Sequence, residues 1–376
     1  MPVDVSTFQE VLDQTAGEKR HLVLGNGFSI ALFPDRFRYG SLLGETDFSE
    51  YLQIREVFDR LKTTDFEVVI KALRVAVAFL PIYVNDVALL TRLDAHAEIL
   101  KDLLVRAIAG RHPERPSEIA EEQYGACRTF LAHFVGAARN EKPSGGKDLR
   151  GYIYSLNYDL LLYWALLHEQ VLNWNADDPL SSVFEKTEVL LHDDGFRAPE
   201  DEPDAPYVTW EAEDAANSQN IHFLHGALHL YDDGPDLKKK CWERSGGVPL
   251  IDQIRAELSD GRFPLFVSEG DSDSKLERIR HSGYLQRSLR SFASVCRSPS
   301  VALFVFGHSF GPTDEHILRL LERGKFGRLY VSLYGDAGSA GNQSLVRRVQ
   351  RMPLARHEKY PLEVRFFDAT SASVWG

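Results

Sequence analysis

Apolar positions along the chain follow two rhythms. Short, mostly apolar runs at His21 to Leu24, Tyr152 to Ser155, Ile221 to Leu224, Val301 to Phe306, Leu329 to Tyr334 and Leu362 to Phe367 have the length and continuity of buried strands. Between them, apolar residues recur at three- and four-residue steps. Phe66, Val69, Ile70, Leu73, Val77 and Leu80 share one helical face, and Ile119, Cys127, Phe130, Leu131 and Phe134 share another. Leu160 to Leu167 and Tyr284 to Val295 also read as helices. Thr313 stands at an N-cap position, with Asp314 and Glu315 in the first turn of a helix running to Glu322.

Strands that end in glycine or polar turns before helices predict an α/β fold: a Rossmann-like, mostly parallel sheet with helices on both faces. The sheet-forming core is assigned to residues 1–50 and 150–376, and residues 51–149 to a helical insertion. Within that insertion, Asp65 and Glu67 are expected at a helix N-cap and on a solvated face. A loop at Asn140 to Lys147, with Pro143, Gly145 and Gly146, returns the chain to the sheet. From Asp193 to Asp214 there are nine acids, one arginine and three prolines, which predicts a solvated surface insertion.

In such a sheet ligands bind at the carboxyl ends of the strands. Four strands here end in polar sequences that should converge: Gly25-Asn26-Gly27-Phe28-Ser29, Asn157-Tyr158-Asp159, His225-Gly226 and Gly307-His308-Ser309-Phe310. Each has an ordinary use when taken alone. A glycine pair can be a tight turn, Asn157 and Asp159 can cap the next helix, His225 can be a core histidine, and Ser309 can sit in a simple turn. Glycines after a strand can also let backbone N–H groups approach a pyrophosphate, with the Ser29 hydroxyl as a further donor.

In this order, the four motifs resemble the sirtuin-like family, specifically its bacterial NAD-hydrolase branch, over residues 25 to 310. The opening motif with Asp65-Phe66-Glu67 further resembles a group of uncharacterised bacterial sirtuin-like proteins. The resemblance implies that NAD is the substrate and that its nicotinamide–ribose bond is hydrolysed. Asn157 would orient water or the nicotinamide ribose, and His225 would accept a proton or polarise a ribose hydroxyl. Gly25, Gly27 and Ser29 would hold phosphates, while Gly307 and Ser309 line the adenosine side and Asp159 supports the ribose. Asn26, Phe28, Gly226, His308 and Phe310 complete the binding set. It also implies a role in antiviral defence, beside a nucleic-acid-sensing partner such as an Argonaute or a HerA-like ATPase.

Composition sharpens this picture. Sirtuin deacylases carry a zinc module of four paired cysteines, whereas Cys127, Cys241 and Cys296 are scattered, so no zinc module and no metal are expected. That disfavours protein deacylation and ADP-ribosyl transfer. A net charge of −12 disfavours direct nucleic-acid binding and leaves such sensing to a partner. A regulated homo-oligomer is expected, because continuous NAD cleavage would be toxic. The acidic start of the chain does not resemble an export signal, and the apolar run Leu160 to Leu167 is too short to span a bilayer, so a cytoplasmic protein without a membrane segment is expected. The competing class is a module that binds NAD or ADP-ribose without turnover.

Overall fold

A computed structural model describes residues 3–138, 149–172, 189–213, 218–234, 236–242 and 244–376. Its main sheet has seven strands: β1 (Val5–Ser6), β2 (Lys19–Leu24), β3 (Ile153–Ser155), β4 (Ile221–Phe223), β5 (Val301–Phe306), β6 (Arg328–Leu333) and β7 (Glu363–Asp368). They lie in the order β1-β7-β6-β5-β2-β3-β4, and every pairing is parallel. This is the Rossmann-like α/β architecture expected from the strand and helix rhythms. Six of the strands were legible as apolar runs. Val5–Ser6 was not, because two residues paired with Phe366 and Phe367 leave no periodicity to read.

Alternation along β5 shows why both faces must be covered. Ala302, Phe304 and Phe306 enter one apolar cluster, while Val301, Leu303 and Val305 enter the other. The helices that matter for the site are α1 (Gly27–Leu32), α2 (Phe66–Phe79), α3 (Val87–Arg111), α4 (Glu121–Val135), α5 (Leu161–Leu172), α6 (Ser272–His281), α7 (Gly283–Cys296) and α8 (Glu315–Glu322). Phe130 and Phe134 of α4 stack edge-on or tilted against Phe306 and Phe304. Helix α4 therefore forms one wall of the sheet's own core. On the opposite face, Phe292 of α7 and Ile317, Leu318 and Leu321 of α8 pack into the second cluster.

Three local expectations need correction. The acidic stretch after Asp193 is not simply solvated. It contributes strands Phe196–Arg197 and Tyr207–Trp210 to a four-stranded sheet completed by Leu230–Asp233 and Asp236–Lys240. Its first acids are paired, Asp193 with the half-exposed Arg197 and Asp194 with the largely buried Lys239, each at 2.5 Å. Thr313 does not cap α8; residues Pro312–Asp314 form a 3₁₀ turn, and Asp314 is the N-cap residue, without a side-chain hydrogen bond to the helix. Asp65 does cap α2, accepting from the Glu67 and Val68 amides, but Glu67 is buried rather than solvated. The Asn140 to Lys147 loop lies outside the described residues. Among those described, no helix is long and apolar enough to cross a membrane.

Candidate functional site

Register sets the site. Backbone partners place Phe306, Leu24, Ser155 and Phe223 side by side at the ends of β5, β2, β3 and β4. All four polar motifs therefore leave the sheet at one level, along its carboxyl edge. Asn157 and His225 each follow by two residues a paired residue of neighbouring strands.

The two glycine turns meet backbone to backbone. A Cβ on Gly27 would lie 2.5 Å from the Gly307 Cα, and one on Gly25 would lie 2.6 Å from the Gly307 oxygen. The Gly25 amide donates to the Phe306 carbonyl at 2.9 Å and the Gly27 amide to the Gly307 carbonyl at 2.8 Å. These glycines are needed for a close approach between loops, and their N–H groups, already bonded to Phe306 and Gly307, are not free to cradle a phosphate. Asn26 donates its side-chain amide to the Phe37 carbonyl at 3.0 Å. Phe28 is fully buried against Trp375, whose indole N–H donates to the Phe28 carbonyl at 2.9 Å, which makes Phe28 an anchor of the fold. Phe310 is also buried, with a φ of 57°, and its amide donates to His308 Nδ1 at 3.1 Å. Ser309 is exposed.

Gly226 has a φ of 80°, and a Cβ there would fall 1.9 Å from the Leu265 carbonyl oxygen. The segment Leu265 to Val267 is bonded against this turn through the Ala227 and Val267 amides. Gly226→Ala should therefore cost about 2–3 kcal/mol through strain and overpacking. Urea unfolding of the variant checks this, and a loss under about 0.5 kcal/mol would contradict the close approach.

Ser29, Asn157 and Asp159 form a buried hydrogen-bonded chain. The Ser29 hydroxyl donates to Asp159 Oδ2 at 2.5 Å, and the Asn157 side-chain amide donates to Ser29 Oγ at 3.1 Å. Asp159 Oδ1 accepts from the Leu161 amide at 2.9 Å, so this carboxylate also starts α5. Burial raises the Asp159 pKa, opposed by the Ser29 and Leu161 hydrogen bonds. Asn157 Oδ1 is buried without a partner, an arrangement that costs about 1–3 kcal/mol unless something donates to it. Asn157 and His225 are both buried, at 6% and 2% exposed.

A charged cluster that sequence reasoning did not assemble lies beside His225. The Lys275 ammonium, 1% exposed, sits 2.8 Å from both Glu67 oxygens and 2.9 Å from Asp314 Oδ1. It thus ties α2, α6 and the turn before α8 together. Burial alone would lower the Lys275 pKa, but Glu67 and Asp314 more than offset this and raise it. Burial raises Glu67; at Asp314 burial acts in the same direction, but Lys275, His308 and His225 together outweigh it and hold the carboxyl well below the carboxylate range. The other Asp314 oxygen accepts from His308 Nε2 at 3.0 Å; His308 must carry its hydrogen there, because its Nδ1 accepts from Phe310.

His225 Nε2 lies 3.1 Å from His316 Nε2 and 3.9 Å from Asp314 Oδ1. His316 Nδ1 is 3.3 Å from Ser272 Oγ. Burial, then Lys275, pushes the His225 pKa well down, and burial brings His316 to about 4. Both rings are therefore uncharged near neutrality. The Tyr158 hydroxyl donates to the Val267 carbonyl at 2.7 Å, and its ring centroid is 6.3 Å from that of His225. Lys275 and His316 carried no sequence signal, since isolated polar residues on amphipathic helices are ordinarily exposed. In the sequence Asp314 has only the signature of a first-turn acid favouring the helix dipole.

The three cysteines are free thiols, Cys127 and Cys296 buried and Cys241 partly so. No curated protein matches the chain. The profile of a family described as a domain of unknown function, DUF4917, matches residues 22–375, a span that takes in all four strand-end motifs and the charged cluster. The chain belongs to the DUF4917 family.

Proposed function

We propose that the protein hydrolyses NAD at its nicotinamide–ribose bond, with Asn157 and His225 at the reacting centre. The observation that carries this reading is Asn157 Oδ1, a buried acceptor with no partner at the common strand edge, while its amide nitrogen is fixed through Ser29 to Asp159. An acceptor held in that way suits a ribose hydroxyl or a water that donates to it. In the reaction the C1′–N bond breaks with its electron pair leaving on nicotinamide, water adds its oxygen to C1′, and the water's proton passes to His225 or to solvent. An uncharged imidazole is the form that can accept it.

With Asn157 and His225 so enclosed, substrate entry requires the elements over them to part. This fits an enzyme kept idle by self-association or a partner until triggered. Defence by NAD depletion alongside a nucleic-acid-sensing protein is the setting proposed from the motif resemblance. The contact of His225 with His316 favours one second reading, a module that binds NAD or ADP-ribose without turnover.

Nicotinamide release from NAD, measured on the purified protein with and without its genomic neighbours, tests the proposal. His225→Ala should reduce release by about 10²–10⁴-fold, the usual weight of a positioned general base. Asn157→Ala should abolish it with a melting temperature close to the parent's. Undiminished turnover in either folded variant would remove it from the chemistry, and NAD binding without release in the activated parent would favour the non-catalytic reading.

A further inference from the structure

We propose that His225, His316 and Asp314 form a binding site for a divalent transition-metal cation, with Zn²⁺ the best fit. Among the described residues these three bring one ligand atom each to within 4.8 Å of one another. The two Nε2 atoms are 3.1 Å apart. In a tetrahedral zinc site with Zn–N bonds of about 2.0–2.1 Å, two ligand nitrogens lie about 3.3 Å apart. The imidazoles are thus already at ligand spacing, whereas Asp314, with Oδ1 3.9 Å from His225 Nε2 and a carboxylate oxygen within 4.8 Å of His316, must draw in by roughly 0.5–1.5 Å to complete the set.

The atoms behind the ligands are arranged as a metal site requires. His308 Nε2 donates to the Asp314 oxygen that faces away from the pair, and Ser272 Oγ touches the distal nitrogen of His316. Such outer partners fix ring orientation and carboxylate direction. Glu67 and Asp314 present two carboxylates to a single ammonium, Lys275, so the formal charge of the cluster is negative, although at His225 itself Lys275 outweighs Asp314. Lys275 contacts Asp314 Oδ1 as well, but that oxygen has a second lone pair, and both Glu67 oxygens hold the ammonium on its other side. Two imidazoles with one carboxylate select zinc, cobalt or nickel over magnesium or calcium, which need more oxygen ligands.

The site does not depend on the NAD reading. One consequence does: bound metal would take the His225 lone pair that the proposed hydrolysis uses, so Zn²⁺ should suppress nicotinamide release. The deciding experiment is titration of chelator-stripped full-length protein with CoCl₂, followed by visible absorbance. One equivalent should bind with the intense bands of a four- or five-coordinate site, be displaced by ZnCl₂, and be indifferent to MgCl₂. His316→Gln and Asp314→Asn should each weaken uptake at least about tenfold, with His225→Gln as the alternative if either fails to fold. No saturable cobalt spectrum in the parent, or uptake unchanged in the folded variants, overturns the site. Absence of NAD cleavage in metal-free, activated protein would count against the hydrolase reading alone.

Discussion

Lys275→Met is expected to lower the unfolding free energy by about 3–5 kcal/mol, because it leaves the Glu67 and Asp314 carboxylates in a buried position without their shared ammonium. The mechanism makes a second, sharper demand. Glu67→Gln in the Lys275→Met background removes the stranded charge that has lost most, so the double variant should be more stable than Lys275→Met alone by at least about 1 kcal/mol. Urea unfolding of the parent, both single variants and the double variant closes the cycle. A loss under about 1 kcal/mol for Lys275→Met, or strict additivity in the double variant, would show that the ion bridge is not what holds α2, α6 and the turn before α8 together.

Acid should destabilise the protein well above the pH at which ordinary carboxylates titrate. His112 is locked in one neutral tautomer, with Nδ1–H donating to the Pro113 carbonyl at 2.9 Å and Nε2 accepting from the Leu160 amide at 3.1 Å. His21 Nδ1 accepts from the Tyr152 amide at 3.0 Å, and His222 lies among Gln219, Ser288 and Ser291. Burial holds His112 at about 4 and His21 and His222 at about 3. The unfolded chain, with histidines near ~6.5, binds the additional protons, so stability declines as pH falls below ~6.5 and goes on falling to about 3–4. Between pH 7 and pH 5 each residue contributes a loss of about 2 kcal/mol, about 5–6 kcal/mol in all, comparable with the whole stability of many domains. Chemical denaturation at the two pH values measures it. A difference under about 1 kcal/mol would mean that these rings protonate in the folded protein.

The parts of the fold that could be read from residues are those governed by local rhythm. Continuous apolar runs marked six sheet strands, and three- and four-residue steps marked α2 and α4, because burial on two faces or on one leaves a periodic trace. Asp65 as the cap of α2 was legible for the same reason, since capping acts within a few residues. The four motifs were rightly expected at one edge, as parallel strands must all point the same way. What they do there was legible only in part. Gly25 and Gly27 look the same in sequence whether they make room for a phosphate or for Gly307, and only the register of β5 beside β2 separates the two. Glu67, Lys275 and His316 meet across separations of up to about 250 residues, and nothing in the neighbourhood of any of them announces a buried charge. The acidic stretch after Asp193 misleads in the opposite sense, because its counter-charge Lys239 arrives from a strand nearly fifty residues later.

The central place of β2 sets a timetable for the protein's birth. Lys19 to Leu24 leave the ribosome well ahead of Val301 to Phe306, one of the two strands that flank them. At the usual ~5–20 residues per second, that partner emerges on the order of 15–60 s later. For this interval an apolar strand waits with an unpaired edge, long compared with hairpin formation or chain collapse, which take microseconds. Nascent chains of this protein should therefore depend on chaperones that mask the waiting strand, and the Gly25 turn, which closes only against Gly307, cannot assume its final shape until the wait is over.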